Sequence, residues 1–392
     1  MPHAVIVDAV RSPMGKGRTG GALADVHPVD LLATVLKSLV RRTGIDPGEV
    51  EDVIIGCVGQ NLEQSATPGR MAVLAAGFPV HVPSVTVERK CGSGQQAVDF
   101  AVQGVMAGVY DMVIAGGVES MSRVPMGSAR GDADPFGAGV LDRHGALVSQ
   151  GVAAELVADK WNISRQALDD YSARSHQRAA SAADCGAFDD EIVSVATPRG
   201  VVDTDETIRR GTAADALGGL RAVFGTDANR DRFPEIDWKV TAGNASQITD
   251  GASALLVMSE EKAASLSLTP RARVVASAVT GDDPMLMLTA PIPASRKALA
   301  RAGLSVGDIA AFEVNEAFAS VPLAFQQELE VPDARLNPVG GAIALGHPLG
   351  ASGARIMTTL INHLAATGGR YGLQTMCEAG GMANATVIES LV

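Results

Sequence analysis

The chain has 392 residues, of which 46% are apolar and only 4% aromatic, and it contains 43 glycines. This length and balance predict an α/β enzyme of two or three closely packed domains and exclude a mainly disordered chain. The net charge of −12, without a basic tract, argues against nucleic acid as the main partner.

The first predicted element is a short strand at residues 1–8, which lacks the basic and apolar regions of a signal peptide. The longest apolar stretch, residues 97–118, is interrupted by Asp99, Gln103 and Asp111 and therefore does not predict a membrane span. The four cysteines are widely scattered and lack the spacing of a metal site. We therefore expect a cytoplasmic protein without a membrane partner or a metal, in which the cysteines stay reduced.

Cys91 follows an extended run at residues 83–87 and precedes a Gly-Ser-Gly turn and a helical apolar pattern. A cysteine at a helix N-terminus lies near free backbone N–H groups and the positive end of the helix dipole, which lower the pKa of a thiol. The glycines beside it allow a substrate to approach closely. Cys91 is therefore a candidate nucleophile.

The chain contains an internal repeat. Residues 44–50 resemble residues 303–309, and residues 91–94 resemble residues 350–353, with the same separation of 259 residues in both cases. Each glycine turn precedes a helix with apolar residues at i, i+3, i+4 and i+7, which marks one buried face. The repeat predicts a duplicated α/β unit whose catalytic loops meet at a shared seam, and the charge-rich residues 121–244 between the copies predict an inserted lobe.

Three further motifs follow in the C-terminal part of the chain. Asn315 ends a strand-like run, His347 lies in a glycine-rich loop, and Cys377 follows the last strongly apolar strand. Taken singly, they read as a turn or cap, a loop histidine and a buried structural thiol. Taken together with Cys91, they predict acyl transfer, in which one thiolate attacks, an imidazole removes its proton and a second thiol handles another proton. A dinucleotide site is not expected, because neither glycine motif for nucleotide phosphates is present.

With these motifs in view, the chain resembles the thiolase family of acetyl-CoA acyltransferases. The segments that carry the resemblance are residues 8–13, 91–94, 116–122, 241–246, 315–318, 340–348 and 377–381. The resemblance implies the thiolase fold, an α/β fold of duplicated βαβαβαββ halves in a five-layered αβαβα arrangement with an inserted loop domain. The implied domains are an N-terminal half at 1–120 plus 245–268, a CoA-binding loop domain at 121–244 and a C-terminal half at 269–392.

The resemblance also implies a role for each motif residue. Cys91 would carry the acyl group as a thioester, His347 would activate it, and Cys377 would exchange a proton with the acetyl-CoA enolate. Asn315 would hold a water that forms an oxyanion hole with His347, and the backbone N–H groups of Cys91 and Ala379 would form a second. CoA is a substrate in this chemistry, and no cofactor or metal is implied. The implied substrate contacts are Ser246, Arg221 and Phe318.

The chain departs from the family pattern in two segments. Ala379 replaces the usual glycine, and its N–H can still serve the oxyanion hole if the backbone needs no positive φ there. Ser149 and Gln150 stand where thiolases dedicated to acetoacetyl-CoA carry His-Met, so a longer or bulkier acyl chain is expected. Some actinobacterial thiolases that act on steroid-ring fragments share the motif Met-Cys-Glu found here at residues 376–378. Branched or cyclic acyl groups therefore remain alternative substrates.

The main functional hypothesis is a degradative 3-ketoacyl-CoA thiolase, which cleaves its substrate with CoA to acetyl-CoA and a shortened acyl-CoA through an acyl-Cys91 thioester. A biosynthetic acetoacetyl-CoA thiolase is the first alternative, and a catalytically silent subunit of a β-oxidation complex is the second. A decarboxylating ketoacyl synthase fits less well, since that relative pairs its cysteine with two histidines. The resemblance suggests a homodimer or homotetramer, and the apolar residues 72–87 could be interface or core.

Overall fold

The computed structural model describes residues 3–392. The predicted strand at residues 1–8 is observed from Ala4 onward, and residues 1 and 2 lie outside the described part of the chain. The strands are β1 (Ala4–Arg11), β2 (Gly15–Lys16), β3 (Asp52–Gly56), β4 (Val85–Val87), β5 (Met112–Ser120), β6 (Val195–Thr197), β7 (Gly200–Val202), β8 (Thr249–Ser259), β9 (Ala272–Gly281), β10 (Ile309–Val314), β11 (Tyr371–Glu378) and β12 (Met382–Ser390).

Helices alternate with these strands. They are α1 (Pro28–Thr43), α2 (Pro68–Ala75), α3 (Ser93–Met106), α4 (Gly137–His144), α5 (Gln150–Lys160), α6 (Arg165–Asp184), α7 (Ala214–Gly218), α8 (Asp227–Arg232), α9 (Glu260–Ser265), α10 (Pro291–Ala302), α11 (Ser320–Leu329), α12 (Ala342–Leu345) and α13 (Leu349–Thr367). Short 3₁₀ turns occur at Pro47–Glu49, Leu62–Gln64, Val306–Asp308 and Asp333–Arg335. None of the helices between residues 3 and 392 combines the length and the apolar character that a bilayer crossing requires.

The strand order shows the predicted duplication. Neighbouring strands run β10-β11-β12-β9-β1-β8-β5-β3-β4, so that corresponding strands of the two halves appear in mirror order. In each half a pair of strands away from the junction is parallel, β3 with β5 and β10 with β11. The next strand toward the junction, β8 or β12, is antiparallel to that pair. The halves meet where β1 pairs with β9 through two residue pairs. The sheet is therefore two related sheets joined at one edge.

The repeat is also visible in the turns between elements. Gly44 and Gly303 end α1 and α10 in the left-handed conformation, both with φ of 67°. A 3₁₀ turn follows each of them, at Pro47–Glu49 and Val306–Asp308. A left-handed helix end favours glycine, because a side chain there would be strained. The similarity detected 259 residues apart in the sequence thus corresponds to the same helix-ending turn in both halves.

The layers follow the predicted order of helix, sheet, helix, sheet and helix. Helices α3 and α13 pack against each other between the two sheets, α1 and α2 cover the outer face of the first sheet, and α10 covers the second. The central contact is very close: a Cβ built on Gly353 would lie 2.2 Å from the backbone nitrogen of Gln95. Both helices begin at candidate site loops, so this packing brings the loops of the two halves together.

The inserted segment contains α4 to α8 and the small β6–β7 sheet. A buried ion cluster attaches it to β1: Arg11 donates to Glu191 at 2.6 Å and to Asp205 at 2.7 Å. The Arg11 and Glu191 side chains are fully buried. Charges removed from water must be paired, so this cluster holds the inserted segment against the first half.

Candidate active site

Four loops from the two halves converge on one cavity of about 180 Å³. Cys91 precedes α3, His347 precedes α13, and Cys377 lies near the end of β11; all three line the cavity. Asn315 follows β10, and its backbone N–H donates to the Thr375 carbonyl on the neighbouring strand at 3.1 Å. The two thiols and the imidazole, which are up to 286 positions apart in the chain, from Cys91 to Cys377, therefore share one compartment.

A second chamber of about 350 Å³ adjoins the first. Its wall is largely apolar and extends from Cys91 past Met121 to Val124 and Met126. Residues common to both chambers are Cys91, Met121, Met126, Gln150, Leu349 and Ala379. Cys91 thus lies where the two spaces meet, and Gln150, one of the two departures from the family pattern, forms part of both walls.

The hydrogen bonds of His347 define its tautomer. Its Nδ1 lies 2.6 Å from Ser352 Oγ, and that hydroxyl donates its hydrogen to the Pro348 carbonyl at 2.9 Å. With the hydroxyl hydrogen assigned to the Pro348 carbonyl, the ring donates from Nδ1 to Ser352, and Nε2 is then the nitrogen without a proton. Nε2 lies 3.4 Å from the Asn315 amide nitrogen. The basic nitrogen of the ring consequently faces the loop that carries Asn315.

Burial sets the protonation state of His347. Burial, together with a smaller effect of the nearby Arg355 guanidinium, lowers the pKa of this imidazole to about 3. A buried ring cannot stabilise a positive charge without a carboxylate partner, and His347 has none among its hydrogen-bond partners in residues 3–392. The imidazole is therefore neutral at physiological pH and has a free lone pair for a proton.

The two thiols are also neutral before substrate binds. Burial raises the pKa of Cys91 well above its usual value, with a further contribution from Cys377, and burial raises the pKa of Cys377 to about 12. The prediction that a helix N-terminus lowers the Cys91 pKa is wrong for this site. Helix α3 begins at Ser93 with Gly92 as its cap, so Cys91 precedes the first turn and loss of water outweighs the helix dipole.

Ala379 fits its loop without strain. It lines both chambers, while the next two residues, Gly380 and Gly381, take φ of +94° and +77°. Ala379 is not among the non-glycine residues of positive φ in the described chain. The backbone at this position therefore accepts an alanine, and its N–H remains present beside Cys91.

Two buried carboxylates hold the loops in place, and the sequence motifs did not identify them as such. Glu119 accepts backbone N–H bonds from Val58, Gly59 and Gly350, each at 2.9 Å. Glu316 accepts from Tyr171 and Ser175 of the inserted segment, at 2.8 and 2.7 Å, and from the backbone of Ile343 at 3.0 Å. In the sequence, Glu119 and Glu316 stand within longer motifs, but nothing there indicates that they hold the loops. Their hydrogen-bond partners come from distant parts of the chain.

The structure separates the expected substrate contacts. Ser246 and Phe318 line the smaller cavity with His347, whereas Arg221 is exposed and lines neither chamber. A wider depression of about 650 Å³ continues outward from Ser246 and is bordered by Lys16, Arg18 and Arg209. These three cations lie on two distant segments, so no local run of basic residues could have revealed them.

Two family models match the chain, the thiolase N-terminal domain over residues 4–261 and the thiolase C-terminal domain over residues 268–390. The steroid 3-ketoacyl-CoA thiolase FadA6 of Mycobacterium tuberculosis is 46% identical, over 100% of this chain and 95% of the relative. The 3-ketoacyl-CoA thiolase of Pectobacterium carotovorum is 44% identical, over 99% and 100%. The solved acetyl-CoA acetyltransferase of Bacillus anthracis superposes with a TM-score of 0.88 at 38% identity, covering 100% of this chain and 99% of that one.

Proposed function

The chain belongs to the thiolase family, and on that premise we propose that it cleaves 3-ketoacyl-CoA with CoA to acetyl-CoA and an acyl-CoA shortened by two carbons. The pathway would be the degradation of fatty acids or related lipids. The observation that supports this reaction most directly is the shared cavity of Cys91, His347 and Cys377. Carbon–carbon cleavage by acyl transfer needs a nucleophile, its base and a second proton donor in one place.

In the proposed reaction, the Cys91 sulfur attacks the 3-keto carbon while its proton passes to Nε2 of His347. The bond between C2 and C3 then breaks, Cys377 protonates the departing acetyl-CoA enolate, and the acyl group remains on Cys91 as a thioester. The incoming CoA thiol gives its proton to the Cys377 thiolate and attacks the thioester, and His347 returns its proton to Cys91. Every proton is accounted for without a cofactor or a metal.

Two oxyanion holes complete the proposal. Asn315 and His347, with a water, would stabilise the enolate oxygen, and the N–H groups of Cys91 and Ala379 would stabilise the tetrahedral intermediate. The uncatalysed reaction in water lacks these oriented hydrogen-bond donors. Removing one such donor from an enzyme typically raises the free energy of the transition state by about 3–4 kcal/mol. The strain-free backbone at Ala379 supports its part in the second hole.

The chamber of about 350 Å³ beside Cys91 supports an acyl group larger than acetyl. We assign this chamber to the acyl chain, because its apolar wall begins at the nucleophile and extends away from His347 and Cys377. The decisive experiment compares kcat/KM for acetoacetyl-CoA with that for longer, branched and cyclic 3-ketoacyl-CoAs. We expect equal or higher values for the larger substrates; a strict preference for acetoacetyl-CoA would favour the biosynthetic alternative.

The chemical step itself is tested by mass spectrometry of the enzyme after incubation with a 3-ketoacyl-CoA. An acyl adduct on Cys91 supports the proposal. An enzyme that folds but acquires no adduct with any of the substrates would instead be a silent subunit, and the proposed function would be withdrawn.

The depression bordered by Lys16, Arg18 and Arg209 is proposed to hold the phosphates of CoA. It joins the thiol cavity at Ser246, and local cations are needed because the chain as a whole carries a charge of −12. Arg18→Gln should raise the KM for CoA about threefold or more at low salt, with less effect at high salt, while the exposed Arg41→Gln on α1 should not. Equal KM values for both variants would contradict this assignment.

We further propose a cytoplasmic homodimer formed through β4. This strand lies at the edge of the sheet. Exposed apolar side chains lie on the strand and beside it, namely Met71, Leu74, Val85, Phe100 and Met106. An open edge with apolar neighbours favours pairing with a symmetric copy. Light scattering after size-exclusion chromatography should give twice the monomer mass, or four times if two dimers associate; a monomer would contradict the proposal.

A further inference from the structure

Glu378 lies directly behind the nucleophile. It follows Cys377 on β11, so its side chain points to the opposite face of the strand, and it is fully buried. A Cβ built on Gly92 would lie 2.0 Å from Glu378 Oε1, and the Asn384 amide donates to the Gly92 carbonyl at 3.1 Å. Two side chains of the β11–β12 hairpin thus enclose the peptide that follows Cys91.

Neither carboxyl oxygen of Glu378 has a hydrogen-bond partner of normal geometry within residues 3–392. An ionised carboxylate without donors in a site removed from water is strongly disfavoured, so the group holds a proton at neutral pH. The same burial raises the pKa of Glu378 to about 8, while Arg89 and, more weakly, the backbone N–H of Asn384 oppose the shift. This carboxyl is therefore unlike Glu119 and Glu316, which are held by several donors.

Charged and titratable groups face Glu378 from each packed element. Glu88 and Arg89 come from the segment after β4, and Asp99 comes from α3. The carboxylates of Glu88 and Asp99 raise the pKa of Glu378. Among the three groups named here, only Arg89 carries a positive charge. Asp99 accepts from Thr386 at 3.0 Å, and burial raises the pKa of Asp99 to about 7. The remaining neighbours are the thiols, since a negative charge on Glu378 raises the pKa of both Cys91 and Cys377.

We propose that Glu378 is a positioning residue for the nucleophile, which permits thiolate formation at Cys91 while its carboxyl is neutral and suppresses it once the carboxyl ionises. The part played in catalysis rests on the proposed thiolase reaction, in which Cys91 must lose its proton to His347. The electrostatic effect of Glu378 on the Cys91 thiol does not depend on that reaction, because it acts in the free enzyme. A role of this kind accounts for a buried carboxyl that lies beside two reactive thiols without a well-formed hydrogen bond to any of residues 3–392.

The test measures the rate at which iodoacetamide alkylates Cys91 in the free enzyme, followed by peptide mass spectrometry between pH 6 and 9.5. Wild type and Glu378→Gln should react equally below pH 7, because the carboxyl is then neutral in one and absent in the other. Above pH 8 the variant should react faster, by about tenfold for each pKa unit that the carboxylate adds to the thiol. The control is Glu261→Gln on α9, which removes an exposed carboxylate that does not face Glu378 and should follow wild type.

The wild-type profile alone also tests the proposal, should the variant fold poorly: the logarithm of the Cys91 alkylation rate should rise by less than one per pH unit above pH 8. Identical profiles for wild type and folded Glu378→Gln at every pH would overturn the proposal, as would a unit slope throughout in wild type. Turnover of 3-ketoacyl-CoA at pH 7 is measured separately. Absence of that turnover in the wild-type enzyme refutes the proposed function, whereas the alkylation profiles test only the role of Glu378.

Discussion

At the residue scale, Cys91 and His347 are both neutral, whereas the sequence predicted a lowered pKa for the Cys91 thiol. Burial keeps the Cys91 thiol protonated and His347 unprotonated, so thiolate and imidazolium can form only together with the reaction. The orientation of His347 then matters more than its basicity. Ser352 provides it, because the hydroxyl that donates to Pro348 must accept from Nδ1.

Substituting Ser352→Ala tests this orientation. The variant removes the acceptor that selects the tautomer with a free Nε2, so kcat should fall about tenfold or more while KM changes little. The control Ser295→Ala removes a buried hydroxyl of α10 that has no hydrogen-bond partner among residues 3–392, and its kcat should stay near wild type. If both variants kept wild-type kcat, Ser352 would have no part in orienting the imidazole.

The two proposed thiol roles differ in the half-reaction they affect. Cys377→Ala should still form an acyl-Cys91 adduct from acetyl-CoA, since the attack uses His347, but carbon–carbon cleavage should fall by about 10²–10⁴-fold because the enolate loses its proton donor. Cys91→Ala should form no adduct. Adduct mass and thiolysis rate measure the two effects, and a Cys377→Ala enzyme with normal thiolysis would contradict the assigned role.

At the element scale, the contact between α3 and α13 connects the fold to the site. Both helices start at site loops, and they approach so closely that a side chain on Gly353 would collide with the backbone of Gln95. The glycines of the two repeated turns therefore serve the packing of the halves as well as access to the nucleophile. A shift of either helix would move Cys91 relative to His347.

Gly353→Ala should therefore lower the free energy of unfolding by about 1–3 kcal/mol, the usual cost of overpacking, and lower kcat as well. Its control is Gly218→Ala in α7, where a Cβ meets no atom within 4 Å and φ is not positive. Urea unfolding of the two variants measures the difference. A Gly353→Ala protein as stable as wild type would show that the central helices can separate without cost.

At the scale of the whole molecule, the buried titratable groups determine how stability depends on pH. Burial raises the pKa of Glu313 and of Glu378 to about 8 and that of Asp99 to about 7. The folded protein therefore keeps protons that the unfolded chain releases, and stability falls as pH rises through these values. Burial lowers the pKa of His347 to about 3 and that of His176 to about 4, so these rings oppose the trend only below about pH 6.5.

We accordingly expect the free energy of unfolding to fall by about 1–3 kcal/mol between pH 6.5 and pH 8.5. Chemical denaturation at constant ionic strength measures it. Replacing the buried carboxyl in Glu313→Gln should reduce the fall, whereas Glu261→Gln, at an exposed carboxyl on α9, should leave it unchanged. A stability that rises over this interval would mean that the buried carboxyls are ionised in the folded protein.

The sequence by itself determined the α/β class, the duplication and three of the residues that line the cavity. Glycine turns, helical periodicity and motif order are local properties, so Cys91, Asn315, His347 and Cys377 could be identified from short segments, while the domain boundaries and residue roles stay predictions. Only the tertiary structure decided the protonation of Cys91, the tautomer of His347, the exposure of Arg221, the cluster of Lys16, Arg18 and Arg209, and the burial of Glu378. These properties depend on water exclusion and on neighbours from distant segments, which no local pattern of residues records.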